Sequence, residues 1–146
     1  MKKRIGEPWM PAPACSATLA GITLNLLVRD IEASVAFATG VLGATAIYKD
    51  PDFAALRNSA GEWCLHADHT YDGHPLSALL GEPGTRGRGA ELRVHGYSPD
   101  AAEAAARARG DRVLAPATDK GHGLREVYIL DPDGYTWVVD ELARTA

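Results

Sequence analysis

Basic charge is scarce in this chain, cysteine is scarcer, and a long apolar run is missing. The 146 residues carry 15 Lys and Arg against 19 Asp and Glu, a formal net charge of −4. Binding nucleic-acid phosphates takes a basic face, so no nucleic-acid partner is expected. Arg86 and Arg88 lie among glycines and read as part of a loop. Cys15 and Cys64 are the only cysteines. Without motif spacing they point to a reducing compartment rather than a disulfide framework. Met1-Lys2-Lys3-Arg4 has the charge of a signal-peptide start, but Glu7, Pro8, Pro11 and Pro13 break any apolar run that follows. No apolar stretch approaches the ~20 residues of a membrane span. A cytoplasmic protein with no membrane partner is expected. No Ser-His-Asp arrangement is identifiable, Cys64 has no defined catalytic partner, and Gly81–Gly89 matches no phosphate loop.

The chain does hold one pattern used twice. Val127–Leu130 and Tyr135–Val139 flank Asp131-Pro132-Asp133-Gly134. Proline presets φ, Asp bonds its own backbone and Gly accepts positive φ, so this reads as a β-hairpin. A weaker copy, Phe53–Leu56 and Glu62–Leu65, flanks Asn58-Ser59-Ala60-Gly61. Aligning Gly61 with Gly134 places the two hairpins in register. With 46% hydrophobic and 23% charged residues, the composition is that of an ordinary globular protein. A single domain of this length buries about two-thirds of the surface its unfolded chain exposes.

Taken in order, residues 1–18 form a proline-bearing tail in which Trp9 is expected to pack back on the body or on a partner subunit. Ile22–Val28 alternates as a strand, with Thr23 and Asn25 on one face and Leu24 and Leu26 on the other. Asp30 caps a helix over Ile31–Leu42, closed by Gly43. Ala44–Tyr48 and the first hairpin complete a β-α-β-β-β unit spanning about 21–67. Asp68–Gly89 is a long connection with one helical turn around Ser77–Leu80, a length that usually signals function or a join between halves. The second unit, about 90–142, starts with Glu91–His95. A helix follows over Ala101–Arg109, capped by Asp100 or Ser98 and closed by Gly110, then a strand over Arg112–Ala115 and the opening hairpin. The fold expected is α+β, with cupped mixed sheets and helices packed outside.

This duplicated unit resembles the vicinal oxygen chelate superfamily, which includes glyoxalase I, bleomycin-resistance proteins and extradiol dioxygenases. The matching residues are Val28-Arg29-Asp30, Ser34, Phe37, Val41-Leu42-Gly43 and Asp131-Pro132-Asp133-Gly134-Tyr135, and the likeness covers about residues 21–142. The resemblance implies a cup formed by paired units, within one chain or by exchange in a dimer, and a homodimer is expected, with the Asp68–Gly89 connection and the tail as partner surfaces. It also implies metal-ligand positions on the first and fourth strand of each unit, carried here by Thr23, Cys64 or Leu65, Glu91 and Val138. Of these, only Glu91 suits a divalent ion, and a catalytic metal needs about three protein ligands. The expectation is therefore a cup with no metal and no cofactor, binding an organic ligand directly.

The candidate site residues follow from strand alternation and from that resemblance. Glu91, Arg93 and His95 share a strand face, as do Thr23 and Asn25 on the equivalent strand. Together they could make a polar floor, or Glu91 and Arg93 could simply pair on a solvated face. Glu91 and His95 are the acid–base candidates. Trp63 and Trp137 on the fourth strands could stack on a planar ligand, although strand aromatics usually pack in the core. His66 leaves its strand within His66-Ala67-Asp68-His69, which matches no standard zinc spacing. Arg125 follows Gly121-His122-Gly123 and could sit at a cup mouth. The functional expectation is a metal-independent binder of an aromatic or amphipathic metabolite. The alternatives are a metal-free isomerase, lyase or cyclase acting through Glu91 or His95, and a metal-dependent glyoxalase-like lyase or dioxygenase with irregular ligands such as His66 and Glu91.

Overall fold

A computed structural model describes residues 1–59, 61–82 and 84–144. After a short tail helix α1 (Ala12–Ser16), the first unit runs β1 (Leu24–Val28), α2 (Ile31–Val41), β2 (Thr45–Lys49), β3 (Phe53–Asn58) and β4 (Gly61–Ala67). The second runs β5 (Leu92–His95), α3 (Pro99–Arg109), β6 (Arg112–Asp119), β7 (Leu124–Leu130) and β8 (Thr136–Leu142). Each unit makes a four-stranded sheet of the same topology, ordered β1-β4-β3-β2 and β5-β8-β7-β6. The first strand lies parallel to the fourth, and the remaining pairs are antiparallel. The expected α+β architecture of two β-α-β-β-β units is therefore present.

Local chemistry explains the element boundaries. Asp30 accepts a hydrogen bond from Ala33 N at 3.0 Å and so caps α2. Of the two caps open for α3, Ser98 is the one used, at 3.3 Å from Ala101 N, with Pro99 at the first helical position. The long connection contains two short 3-10 segments, Asp68–Tyr71 and Pro75–Leu79. β6 runs four residues beyond the expected Ala115, and register shifts within it accommodate the bend around Pro116.

Both sheets turn one face to a single core. From the first unit this core takes Leu26, Val28, Leu56, Leu65 and α2 residues such as Phe37 and Val41; from the second it takes Val94, Val127, Ile129, Val139 and α3 residues Ala102 and Ala106. Strand alternation sends the other set of side chains to the opposite, open face of each sheet.

The pairing corrects the hairpin alignment. Leu24 lies beside Trp63, and Leu92 beside Trp137. The two indoles are thus equivalent, and matching Gly61 to Gly134 is one residue out. The β7–β8 connection is longer, with Leu130 opposite Thr136, whereas Asn58 pairs directly with Gly61.

Candidate functional site

Of the expected site residues, Thr23, Asn25 and His66 come together. In β1 and β4, Asn25 pairs with Cys64 and Leu27 with His66, so Asn25, Cys64 and His66 share the open face of the first sheet while Leu65 points into the core. β3 adds Phe53 opposite His66, and β2 adds Tyr48 beside Ala55. The N-terminal tail lies over this face and partly covers a hollow of about 420 Å³. Trp9, Met10, Cys15 and Leu19 from the tail line it, against Thr23, Tyr48, Phe53, Cys64 and His66 below.

Aromatic contact and charge hold the tail there. Trp9 stacks on Tyr48 with centroids 5.7 Å apart and planes 13° from parallel. The Asp52 carboxylate accepts from Lys3 N at 2.7 Å, Arg4 N at 3.1 Å and His69 Nε2 at 2.7 Å. Asp50 takes the Arg4 guanidinium at 3.4 Å and the Tyr48 hydroxyl at 2.7 Å. Burial alone would raise the Asp52 carboxyl, but His69 and the two backbone donors outweigh it and hold its pKa down to about 2. The sign for stability follows. A depressed carboxyl stabilises the fold above its unfolded value of about 4, and that contribution is lost as pH falls through about 2. Asp52→Ala should cost roughly 2–3 kcal/mol in urea denaturation at neutral pH, by loss of charge-assisted hydrogen bonds. It should also open residues 1–19 to limited proteolysis; unchanged cleavage would mean that Asp52 does not hold the tail.

At the base of the cavity, His66 Nδ1 lies 2.6 Å from Asn25 Oδ1, and Asn25 Nδ2 donates to the Tyr71 hydroxyl at 3.1 Å. Phe53 and Tyr71 meet the imidazole edge-on at 4.8 and 5.7 Å. Burial pushes His66 below its ordinary value and Cys64 above its own, so both favour the neutral form.

The other candidates lie elsewhere. Thr23 and Asn25 belong to the first sheet, and Glu91, Arg93 and His95 belong to the second, so the five do not form one floor. Instead Arg93 bridges three carboxylates: Glu91 at 2.9 Å, Glu126 at 2.6 Å and Asp140 at 2.9 Å. His95 Nδ1 sits 2.7 Å from Asp140, with its ring largely exposed. Trp63 and Trp137 are buried and pack on each other at 5.4 Å, on the core side of their sheets rather than on a cup wall. Trp137 Nε1 donates to Asp131 at 3.1 Å. Arg125 forms a two-pronged pair with Asp100 on α3 (2.8 and 2.7 Å) and reaches Asp119 at 3.0 Å, so it does not sit at a cup mouth.

The four positions where the fold suggests metal ligands carry Thr23, Cys64, Glu91 and Val138. The β1–β4 pairing selects Cys64 over Leu65 as the strand-four position. A hydroxyl, a neutral thiol, an isopropyl group and a carboxylate committed to Arg93 do not suit a divalent cation. Among the described residues, no three His, Cys, Asp or Glu side chains gather into a metal-binding group.

A duplicated β-α-β-β-β fold with a hollow on the open face of a sheet defines a glyoxalase-type protein. Residues 21–139 match the model of the Glyoxalase/Bleomycin resistance protein/Dioxygenase superfamily, and the chain belongs to that superfamily. It is similar to a crystal structure of a glyoxalase/bleomycin resistance protein/dioxygenase from Nocardioides, with 28% identity over 91% of each chain and a TM-score of 0.61. A family enzyme from Burkholderia phytofirmans PsJN has the same fold at 20% identity, covering 83% of this chain and 97% of its own, with a TM-score of 0.67. A glyoxalase-related enzyme from Fulvimarina pelagi does too, at 21% identity, 84% and 88% coverage and a TM-score of 0.64. No curated protein matches the sequence. Among the described residues, no helix is long and apolar enough to cross a membrane.

The tail's role has no signature in the sequence. The stacking of Trp9 on Tyr48, the two anchoring aspartates and the Phe53 wall have no motif to announce them. One usable signal is an otherwise wasteful Trp in a proline-bearing tail.

Proposed function

We propose that this chain is a metal-independent small-molecule-binding protein that holds an aromatic or amphipathic metabolite beneath its N-terminal tail. The partly covered hollow of about 420 Å³ carries this reading, since most of the surface it offers is apolar, from Trp9, Met10, Leu19, Tyr48 and Phe53. That balance suits an organic ligand bound through its apolar body and oriented by a few hydrogen bonds. The ligand positions unsuited to a cation favour binding without metal.

Two copies are expected to associate, with the long connection at Asp68–Gly89 and the tail as the natural partner surfaces. Native mass spectrometry of protein from its own source should find two chains and a co-purifying organic molecule. Chelator should leave the melting temperature unchanged, because a bound metal normally adds folding free energy. Trp9→Ala should weaken the ligand roughly 10- to 100-fold through lost stacking and burial, mainly by faster release. A large chelator-induced drop in melting temperature, or a Trp9→Ala variant that binds normally, would overturn the respective part of this reading.

One observation favours a second reading, a metal-free isomerase, lyase or cyclase. Asp140 orients the His95 ring through Nδ1, which is how a general base is held in one tautomer. Turnover of a molecule bound on the open face of the second sheet, abolished by His95→Gln, would establish it.

A further inference from the structure

What an occupant of the hollow must present is decided by the hydrogen bonds of His66. Asn25 donates to the Tyr71 hydroxyl through Nδ2, which turns its carbonyl oxygen toward His66 Nδ1. A carbonyl oxygen can only accept, so Nδ1 carries a hydrogen. Burial among Phe53, Tyr71 and the tail keeps the ring neutral near pH 7, so this is its only N–H.

Nε2 is therefore a bare lone pair. It has no hydrogen-bond partner among the described residues, and His66 lines the cavity. The edge-on contacts from Phe53 and Tyr71 fix the plane in which that lone pair projects. Thr23 lines the same hollow, and its hydroxyl has no partner among the described residues. On the sheet side of this largely apolar hollow, His66 thus presents one fixed acceptor and Thr23 one free hydroxyl, while Asn25, Asp50 and Asp52 on the same lining are engaged by other groups. Of the two cationic residues on the lining, Arg4 is engaged by Asp50 and the Gly6 carbonyl, and Lys2 is set in the tail rather than on the sheet that carries His66.

We propose that the hollow selects flat aromatic molecules bearing a ring hydroxyl, whose O–H donates to Nε2 of neutral His66. A phenolic oxygen keeps lone pairs that can accept from Thr23, which an aryl ether matches only in part and a plain hydrocarbon not at all. The inference rests on the hollow being the ligand site, and the experiment separates the two ideas.

The probes are 2-naphthol and 2-methoxynaphthalene, titrated calorimetrically into the full-length protein. 2-Naphthol should bind about tenfold or more tightly than its ether, the worth of one hydrogen bond in a partly buried site. In His66→Phe that preference should vanish while the ether keeps its affinity to within about threefold. The preference should also fade as pH drops through the His66 transition, because the protonated ring donates at Nε2 and can no longer accept. If His66→Phe fails to fold, the nitrogen-15 spectrum of the unmodified protein decides, since the proposal requires the Nδ1–H tautomer.

Equal or tighter binding of the ether, or an Nε2–H tautomer, overturns the hydroxyl inference and leaves the cavity reading standing. Failure of both probes to bind overturns the two together.

Discussion

Arg93→Ala is expected to destabilise the protein by about 3–5 kcal/mol at neutral pH, among the largest losses any single truncation should bring. Arg93 alone stands between Glu126 and Asp140, whose side chains are 5 and 2% exposed. Burial would lower the Arg93 pKa, but the carboxylates outweigh it and raise it; in return Arg93 overcomes the burial of Glu126 and lowers that carboxyl. Truncation leaves two buried like charges, with His95 beside Asp140 and only the Tyr128 hydroxyl at 3.3 Å and His122 at 3.6 Å beside Glu126 among the described residues. The Glu126 carboxyl, left with the burial that Arg93 had overcome, should then titrate above its unfolded value. The penalty should accordingly shrink as the pH is lowered from 7 toward 4, since protonation relieves the repulsion.

Urea melts across that range measure both the size and the slope. A triple change, Arg93→Met with Glu126→Leu and Asp140→Leu, should recover much of the loss, because breaking a buried ion cluster costs far more than replacing it with apolar groups. A loss below about 1 kcal/mol with no pH slope would mark the cluster as a solvated surface ladder.

That cluster also shows how far the sequence could be read. Alternation alone placed Glu91, Arg93 and His95 on one strand face, and pairing between Glu91 and Arg93 was foreseeable. Two residues apart on a strand, they are neighbours whatever the fold. Glu126 and Asp140 lie 33 and 47 residues from Arg93 and meet it only through the β7–β8 and β5–β8 register. The hairpin turns, the cap at Asp30 and the repeat itself were legible because each is local chemistry at fixed spacing.

Register across a hairpin is not local in that sense. The extra residues between Leu130 and Thr136 shifted the glycine alignment by one, enough to reverse the face of every side chain compared across it. That is why Trp63 and Trp137 looked equally suited to cup and core until pairing put both in the core. His66 and Asp140 turn out to be equivalent for the same reason: Asn25 reaches one and Arg93 the other. The two halves therefore carry a polar pair at matching places, an amide with an imidazole in one and a guanidinium with a carboxylate in the other. The first pair lies among the aromatic rings of Phe53 and Tyr71 and the second among carboxylates, so the duplication has diverged in chemistry while keeping its geometry.

Asp133→Ala is the other large effect expected, about 3–4 kcal/mol by loss of a buried, charge-assisted network, and it acts where the halves join. Asp133 lies in the β7–β8 turn and is 1% exposed. Its Oδ1 accepts from Arg29 N at 3.2 Å and Arg29 Nε at 3.0 Å, its Oδ2 from Ser34 Oγ at 3.4 Å, and Arg86 stands 3.7 Å away. Arg29 and Ser34 flank the N-terminus of α2, so a carboxylate from the second unit satisfies polar groups at the positive end of a helix in the first. Truncation strands those donors and removes a buried charge that, together with the Asp30 cap, compensates the partial positive end. Asp133→Asn keeps the shape and one carbonyl acceptor, and should cost only about 1–2 kcal/mol. Hydrogen exchange supplies the discriminating measurement. If Asp133 joins the halves, the alanine variant should lose protection at the start of α2, in the other unit, as strongly as in its own hairpin. Loss confined to residues 131–136 would mean that the carboxylate serves only its turn, through Asp131 and its neighbours, and that the Arg29 contact adds nothing to the coupling.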